Sequence, residues 1–252
     1  MLVDDRFNPV RCDAYDLYIE IQFNRLRFIA KKDEEILCLE DHFLGVCTDP
    51  THTSVQVEKL MAIHPFLCRK DWKSVHLISQ FQVHALVPTE AFGEAEKYLC
   101  LVFNDINKDN FIFFSEVIEK QTLHIGTLES IYQAFQKYYE RIELHSPITA
   151  GLRLTLERKN HQIIISDQFL DYYFYYPKKG SVSVRRIPLL DLEELDVENQ
   201  PTTLWGEITP YGNLYNQIKE KIKDIEMGSI NRGIANIYSE LPQHRYITLL
   251  NI

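Results

Sequence analysis

The feature that most constrains this chain is a strand pattern that occurs twice in the same order. In the first copy Leu17, Ile19, Ile21 and Phe23 alternate with Tyr18, Glu20 and Gln22, the two-residue period of a half-buried strand. Asn24–Arg25 makes a tight turn, Leu26, Phe28 and Ala30 form a second strand, Lys31–Asp33 turns again, and Glu35 to Glu40 forms a third. In the second copy His161 to Ser166 alternates, Leu170 to Tyr176 follows, Pro177–Gly180 turns, and Ser181 to Ile187 completes the set. The meander at Tyr15–Phe43 therefore matches that at His161–Leu189. A later strand-then-helix unit at Ser74–Leu99 matches one at Thr202–Lys223. Self-similarity with so long a period implies two copies of one lobe rather than a solenoid. Residues 1–145 and 146–252 are the expected lobes, with a cleft between them.

Between the meanders the pattern alternates. Ser54 is expected to cap a helix carrying Val57, Leu60, Met61 and Ile63–His64. Strands follow at Ser74–Ser79 and Gln82–Val87, and Thr89 is expected to cap a helix from Glu90 to Cys100. Strand-like runs stand at Asn110–Phe114 and Glu119–Ile125. A helix runs from Thr127 to Tyr139, and Pro147 opens another over Ile148–Arg158. In the second half Thr202 to Ile208 is a strand and Pro210 starts a helix over Tyr211–Lys223. A meander followed by such units gives an α/β lobe with a mixed sheet and packed helices. One such lobe is ribonuclease-H-like, and two in tandem make the actin-like ATPase architecture.

Composition narrows the function classes. The 252 residues are 45% hydrophobic and 25% charged, the balance of a chain with a real core. The formal charge of −9 argues against a nucleic-acid partner, which would need a surplus of Lys and Arg. Lys178–Lys179 and Arg185–Arg186 read as solvated turn and strand-edge pairs. Nine glycines leave little material for a phosphate cradle. The five cysteines, Cys12, Cys38, Cys47, Cys68 and Cys100, are scattered without a C-x-x-C pair, which suits a reducing, cytoplasmic setting. The start MLVDDRFNPVR has no apolar stretch of the signal-peptide kind, and no run reaches the ~18 apolar residues that span a bilayer.

The stretches LYIEIQFNRLRFIAKKD, VHALVPTEAFGEAEKYL and LPQHRYITLL resemble a family of bacterial proteins of unknown function, with Leu86–Val87–Pro88 as a signpost. The resemblance covers most of the chain and implies an actin-like fold without supplying catalytic residues. Actin-like ATPases hold nucleotide phosphates with one hairpin turn per lobe, each usually D-x-G and a small polar residue. The Asp orients Mg²⁺, and the Gly lets backbone N–H groups approach phosphate oxygens. Here the first turn reads Gln22–Phe23–Asn24–Arg25, with neither Asp nor Gly. The second reads Asp167–Gln168–Phe169, where a bulky ring replaces the Gly. Both phosphate loops read as lost, and Phe169 across a filled cleft would exclude the nucleotide.

Trp205–Gly206–Glu207 and Pro210–Tyr211–Gly212–Asn213 lie where such an ATPase places its adenosine-contacting glycines. Gly206, Gly212, Asp167 and Asn24 are thus the candidate cleft residues. As ordinary punctuation, Gly206 ends a strand and Gly212 starts a helix. No G-x-x-x-x-G-K-[ST], G-x-G-x-x-G or G-x-S-x-G occurs. A ribonuclease-H nuclease would need Glu20, Asp16 and Asp167 to converge on metal, but alternation sets Glu20 on what reads as a solvated face. His42, Cys47 and His52, near Asp41 and Asp49, have the wrong spacing for zinc and read as surface-loop residues. His76 and His84 read as core or edge histidines, and His145 and His244 as satisfied by backbone groups. Neither a metal nor another cofactor is expected.

The run Tyr172–Tyr173–Phe174–Tyr175–Tyr176 reads as a central strand packed on both faces. The tail ending Ile247–Thr248–Leu249–Leu250 is too apolar to hang free and must dock on its own body or another subunit. The best-supported expectation is a non-catalytic scaffold that binds a protein partner. Scaffolds of pilus assembly and cell division with this fold, which hold a segment of a membrane partner in a groove, supply the analogy. The alternative is a divergent nucleotide-binding ATPase.

Overall fold

A computed structural model describes residues 2–33, 35–91, 93–195, 200–229 and 242–251. The meander forms as its alternation demands. After a short strand β1 (Leu2–Val3) come β2 (Asp16–Ile21), β3 (Arg25–Lys32) and β4 (Glu35–Phe43), each of the three antiparallel to the next. Helix α1 (Pro50–Ile63) follows. The sequence pointed to Ser54 as its cap, but Asp49 takes that place by accepting the His52 N–H at 2.9 Å, with Pro50 in the first turn. Pro there has no N–H to lose, so the helix starts a turn earlier than its apolar stripe indicates. Strand β5 (Ser74–Ser79) then pairs parallel to β2.

An insertion comes next: β6 (Gln82–Pro88), α2 (Ala95–Val102), β7 (Phe111–Ile118) and β8 (Gln121–Leu128). Its strands form a separate three-stranded antiparallel sheet in the order β6-β8-β7. Thr89 does not cap α2. Its N–H is taken by the Lys120 carbonyl at 2.9 Å, and the helix begins only at Ala95; Phe92 of the expected helix lies outside the described residues. Helix α3 (Glu129–Gln136) returns to the main sheet, and β9 (Glu143–His145) joins parallel to β5.

Helix α4 (Pro147–Arg158) leads into the second sheet. It consists of β10 (His161–Ile165), β11 (Phe169–Tyr176), β12 (Ser181–Pro188), β13 (Thr202–Gly206) and β14 (Ile225–Met227), with α5 (Asn213–Lys221) between the last two. The strand orders are β1-β4-β3-β2-β5-β9 and β12-β11-β10-β13-β14. In both sheets a meander is extended by parallel strands on the side of its first strand, β5 and β9 in one and β13 and β14 in the other. By topology the partner of α5 is therefore α3. The sequence match of Ser74–Leu99 with Thr202–Lys223 holds for the strands but not for the helix, because α2 belongs to the insertion. The C-terminal α6 (Ile247–Leu250) docks on the chain itself. The part of the tail at 230–241, with residue 252, lies outside the described residues.

Strand alternation assigns the cores. Leu17, Ile19, Ile21, Leu26, Phe28 and Val75 face α1 and α3. On the second sheet Ile163, Ile165, Tyr172 and Leu204 pack with Ile218 of α5. A third cluster joins the insertion to the second sheet: Ile118, Leu123 and Ile125 meet Ile148 and Leu152 of α4, Tyr173, Trp205 and Ile247. Gly151 lies against the Tyr173 ring, where a Cβ would collide. Tyr246 and Leu249 cover the other face of the first sheet with Ile29 and Ile78. The α6 segment thus reaches both sheets, which accounts for its apolar sequence. In β11, Tyr172 and Tyr173 are fully buried on opposite faces, as a central strand requires, while Tyr176 at the strand end is exposed.

Candidate functional site

The two hairpin turns meet. The Asn24 backbone N–H donates to Asp167 Oδ2 at 2.6 Å, and the Asp167 N–H donates to Gln22 Oε1 at 3.3 Å. The other Asn24 groups are engaged too: its carbonyl accepts from the Leu44 N–H and its side chain accepts from the Cys47 N–H, both at 2.8 Å. The Phe23 ring lies 4.3 Å from Phe81 and 6.3 Å from Phe169, centroid to centroid. Burial pushes the Asp167 pKa up, and the N–H donors from Asn24 and Phe23 offset that only in part.

Beside the turns lies a charged cluster built by register. Arg27 on β3 stands directly opposite Glu20 on β2 and Asp41 on β4, so all three project from the sheet face that Tyr246 and Leu249 cover. Arg27 is 1% exposed. Its guanidinium bonds to Asp41 at 3.1 Å, to the Arg245 carbonyl at 3.0 Å and to Glu207, which follows β13 of the second sheet, and lies 3.8 Å from Glu20. Arg25 adds a 2.8 Å bond to Asp41 and approaches Glu207 at 3.9 Å. Two guanidinium groups thus face three carboxylates. Glu20 is buried at 1% exposure, not solvated as its alternation suggested, because α6 roofs that face. Burial raises the Glu20 pKa despite Arg27 beside it.

Gly206 explains how Glu207 gets there. It ends β13 at φ +92°, with its α-carbon so close to the Ile165 backbone that any Cβ would overlap it. The kink lets the Glu207 N–H donate to the Ile165 carbonyl at 2.7 Å while its carboxylate turns to Arg27. Gly212 is the N-cap of α5, with an extended backbone and its N–H on the Thr209 carbonyl at 3.0 Å. Of the four candidate cleft residues, Asn24 and Asp167 touch, Gly206 serves the cluster through Glu207, and Gly212 makes only a helix-start contact among its described bonds.

A second clamp joins the two large sheets nearby. Arg186 on β12 makes a two-pronged pair with Asp171 at 2.7 and 2.8 Å and reaches Gln80, just after β5 of the first sheet, at 3.3 Å. Burial opposes the charge on Arg186, yet Asp171 outweighs it and raises the pKa. The guanidinium lies 5.1 Å above the Phe169 ring. The Gln121 side chain meanwhile pairs with both backbone groups of Val182 on the edge strand β12, at 2.9 and 3.0 Å.

The carboxylates of the nuclease arrangement do not converge. Asp16 is held by Lys73 and Ser74, Glu20 lies beside Arg27, and Asp167 bonds to Asn24. The His42–Cys47–His52 set also separates: Cys47 is buried, His52 contacts Gln56, and His42 lies 3.0 Å from Glu40, which also bonds to His64 at 3.1 Å. His64 Nδ1 accepts the N–H groups of Phe66 and Leu67, so its Nε2 carries the proton and donates to Glu40. A proton, not a lone pair, therefore faces the centre of that group. His244 bonds to the Ile208 carbonyl at 3.0 Å, a backbone partner as expected. His145 instead contacts the His76 ring, not backbone. Arg27 and Glu207 escaped the sequence reading, and Arg186, read there as a solvated strand-edge residue, is instead largely buried because Asp171 pairs with it. The only signal for Arg27 was a charge opposite Glu20 in the meander register.

Residues 4–173 match the family described as protein of unknown function DUF3822. The chain belongs to that family. No curated protein matches it. Among solved structures, a Bacteroides thetaiotaomicron protein with an actin-like ATPase fold and unknown function aligns over 96% of this chain and 98% of its own, at 15% identity and TM-score 0.66. PilM of a PilM–PilN type IV pilus biogenesis complex aligns over 94% and 97%, at 11% identity and TM-score 0.58. The ethanolamine utilization protein EutJ of Carboxydothermus hydrogenoformans aligns over 99% and 91%, at 9% identity and TM-score 0.50. Identities this low establish the actin-like fold alone, the fold class expected from the repeated meander. Among the described residues no helix is long and apolar enough to cross a membrane.

Proposed function

We propose that this protein is a non-catalytic actin-like scaffold, a protein-interaction module whose nucleotide cleft is occupied by the chain's own bonds. The observation that carries this reading is the contact between the two turns. The backbone N–H of Asn24, which an ATPase of this fold would aim at phosphate, is bonded to Asp167, and the buried Arg27–Glu207 pair locks the lobes beside it. An anion entering there would have to displace a carboxylate and open that pair. The division into lobes at 145/146 and a cytoplasmic location belong to the same proposal.

The ligand class proposed for the scaffold is a protein partner. By fold analogy PilM, which stands in a complex with PilN, supports it. The insertion also leaves Leu101, Val102 and Phe103 exposed in succession at 72%, 50% and 37%. The test is thermal unfolding with Mg²⁺ and millimolar ATP, ADP or GTP. A nucleotide at a hundred times its dissociation constant would add about 2.7 kcal/mol, roughly 5–11 °C for a chain of this size. The scaffold reading expects no shift with any of them. A reproducible shift that Asp167→Ala removes would replace it with the nucleotide-binding alternative.

A further inference from the structure

Away from the cleft, the outer edge of the first sheet gathers two histidines and a glutamate. His76 on β5 and Glu143 and His145 on the neighbouring parallel strand β9 share one face, since His76 is in register with Glu143 and Ile78 with His145. His76 Nδ1 lies 3.0 Å from His145 Nε2 and 3.3 Å from Glu143 Oε2. The three ligand-type atoms all fall within 4.8 Å of one another. Atoms bonded to one zinc ion at 2.0–2.1 Å and a tetrahedral angle stand about 3.3 Å apart, so the 3.0 and 3.3 Å spacings around His76 Nδ1 match two edges of such a shell.

The second observation is the hydrogen-bond chain behind His76. Asp16 accepts from Ser74 Oγ at 2.6 Å and from Lys73 at 2.8 Å, so the single Ser74 proton is committed to Asp16. Toward His76 Nε2, 2.8 Å away, Ser74 can then only accept. His76 therefore carries its proton on Nε2 and turns the Nδ1 lone pair toward His145 and Glu143. An imidazole held by a hydroxyl and a carboxylate in this way is the outer-shell arrangement that orients metal-ligating histidines. Tyr18 stacks on the His76 ring at 4.2 Å and 8° between planes, fixing its tilt. A proton on His145 Nε2 would satisfy only one of the two groups facing that lone pair, whereas a divalent cation satisfies all three. The contrast with Glu40–His42–His64 is direct, because there a ring proton points inward.

We propose that His76, Glu143 and His145 form a binding site for a first-row divalent transition-metal ion, with zinc the best fit to two imidazoles and one carboxylate. Glu143 is exposed, so the site can be reached from solvent on its carboxylate side.

The test is titration of the chelator-treated full chain with Co²⁺, followed by visible absorption, and displacement by Zn²⁺. One Co²⁺ per chain is expected, with ligand-field bands and no thiolate charge-transfer band. His145→Ala and the surface substitution Glu143→Gln should abolish binding. Ser74→Ala should weaken it about 10–100-fold while all three ligands remain. His42→Ala should bind like the parent chain, and the melting curve of each apo variant controls for folding. No Co²⁺ binding by the parent chain, binding that survives Glu143→Gln and His145→Ala, or a thiolate band would each overturn the proposal.

Discussion

If the buried Arg27 couples the two large sheets, then replacing it by Met should do more than lower stability. Met matches the stem in volume and length but leaves Glu20, Asp41 and Glu207 without their shared cation and the Arg245 carbonyl without its donor. Removing one member of a buried ion pair costs about 3–5 kcal/mol, because the partner charge stays desolvated. Glu20, already raised in pKa by burial, would lose its one compensating guanidinium. For a chain of this size about 3–5 kcal/mol corresponds to roughly 6–20 °C in Tm. The loss falls on the seam, so calorimetry should show one transition in the parent chain split into two in Arg27→Met. Glu207→Gln should cost less, since the amide oxygen still accepts from Arg27. A double-mutant cycle between the two should give a coupling of about 0.5–3 kcal/mol. A single transition in Arg27→Met with a loss under about 1 kcal/mol, within the range of an exposed pair, would refute the seam argument.

Three further outcomes follow from the same geometry. Asp167→Asn keeps an oxygen for the Asn24 N–H and removes a charge whose folded pKa is raised. Because that group favours folding below its unfolded pKa and loses the contribution as pH rises through its folded pKa, the variant should melt higher than the parent at pH 7 and converge with it in acid. Glu40 has the opposite sign: burial pushes its pKa up, but His42 and His64 outweigh that and bring it down to about 2. Its contribution is present above about pH 4.5 and lost as pH falls through about 2, so Glu40→Gln should flatten the acid limb of a urea-stability profile. Gly206→Ala places a Cβ on the Ile165 backbone at φ +92°. It should cost at least about 1–3 kcal/mol by chemical denaturation, whereas Gly212→Ala, at an ordinary φ, should cost less than half as much.

What the sequence made legible was whatever depends on neighbours along the chain. The two meanders and the buried tyrosines of β11 are set by two-residue periodicity and stand where alternation puts them. The first turn falls on Phe23–Asn24, one residue before the expected Asn24–Arg25, because Arg25 already belongs to β3 and its carbonyl accepts the Gln22 N–H. Helix starts were misread where two capping signals competed. Asp49 with Pro50 prevailed over Ser54, and Thr89 was taken up in a strand-end bond to Lys120. Glu20 was misassigned for a different reason. Alternation says which side of a sheet a residue takes, but what covers that side is decided here by Tyr246, more than two hundred residues later.

The same limit explains why the site was visible only in part. Asn24 and Asp167 were found by their place in the hairpins, while the groups that engage them and brace them come from distant segments. Arg27 needs Glu207, 180 residues away, and Arg186 needs Gln80, 106 residues away. A charge in a strand reads as solvated until its partner is known, since burying it alone would be prohibitive. Each of the two large sheets supplies a charge that reaches beyond its own partners into the other half of the fold: Arg27, already bonded to Asp41, also meets Glu207, and Arg186, paired with Asp171, extends to Gln80. Mutual dependence of this kind ties the two copies of the repeat into one body. It also distinguishes a closed cleft from an open one by residues that no local motif contains.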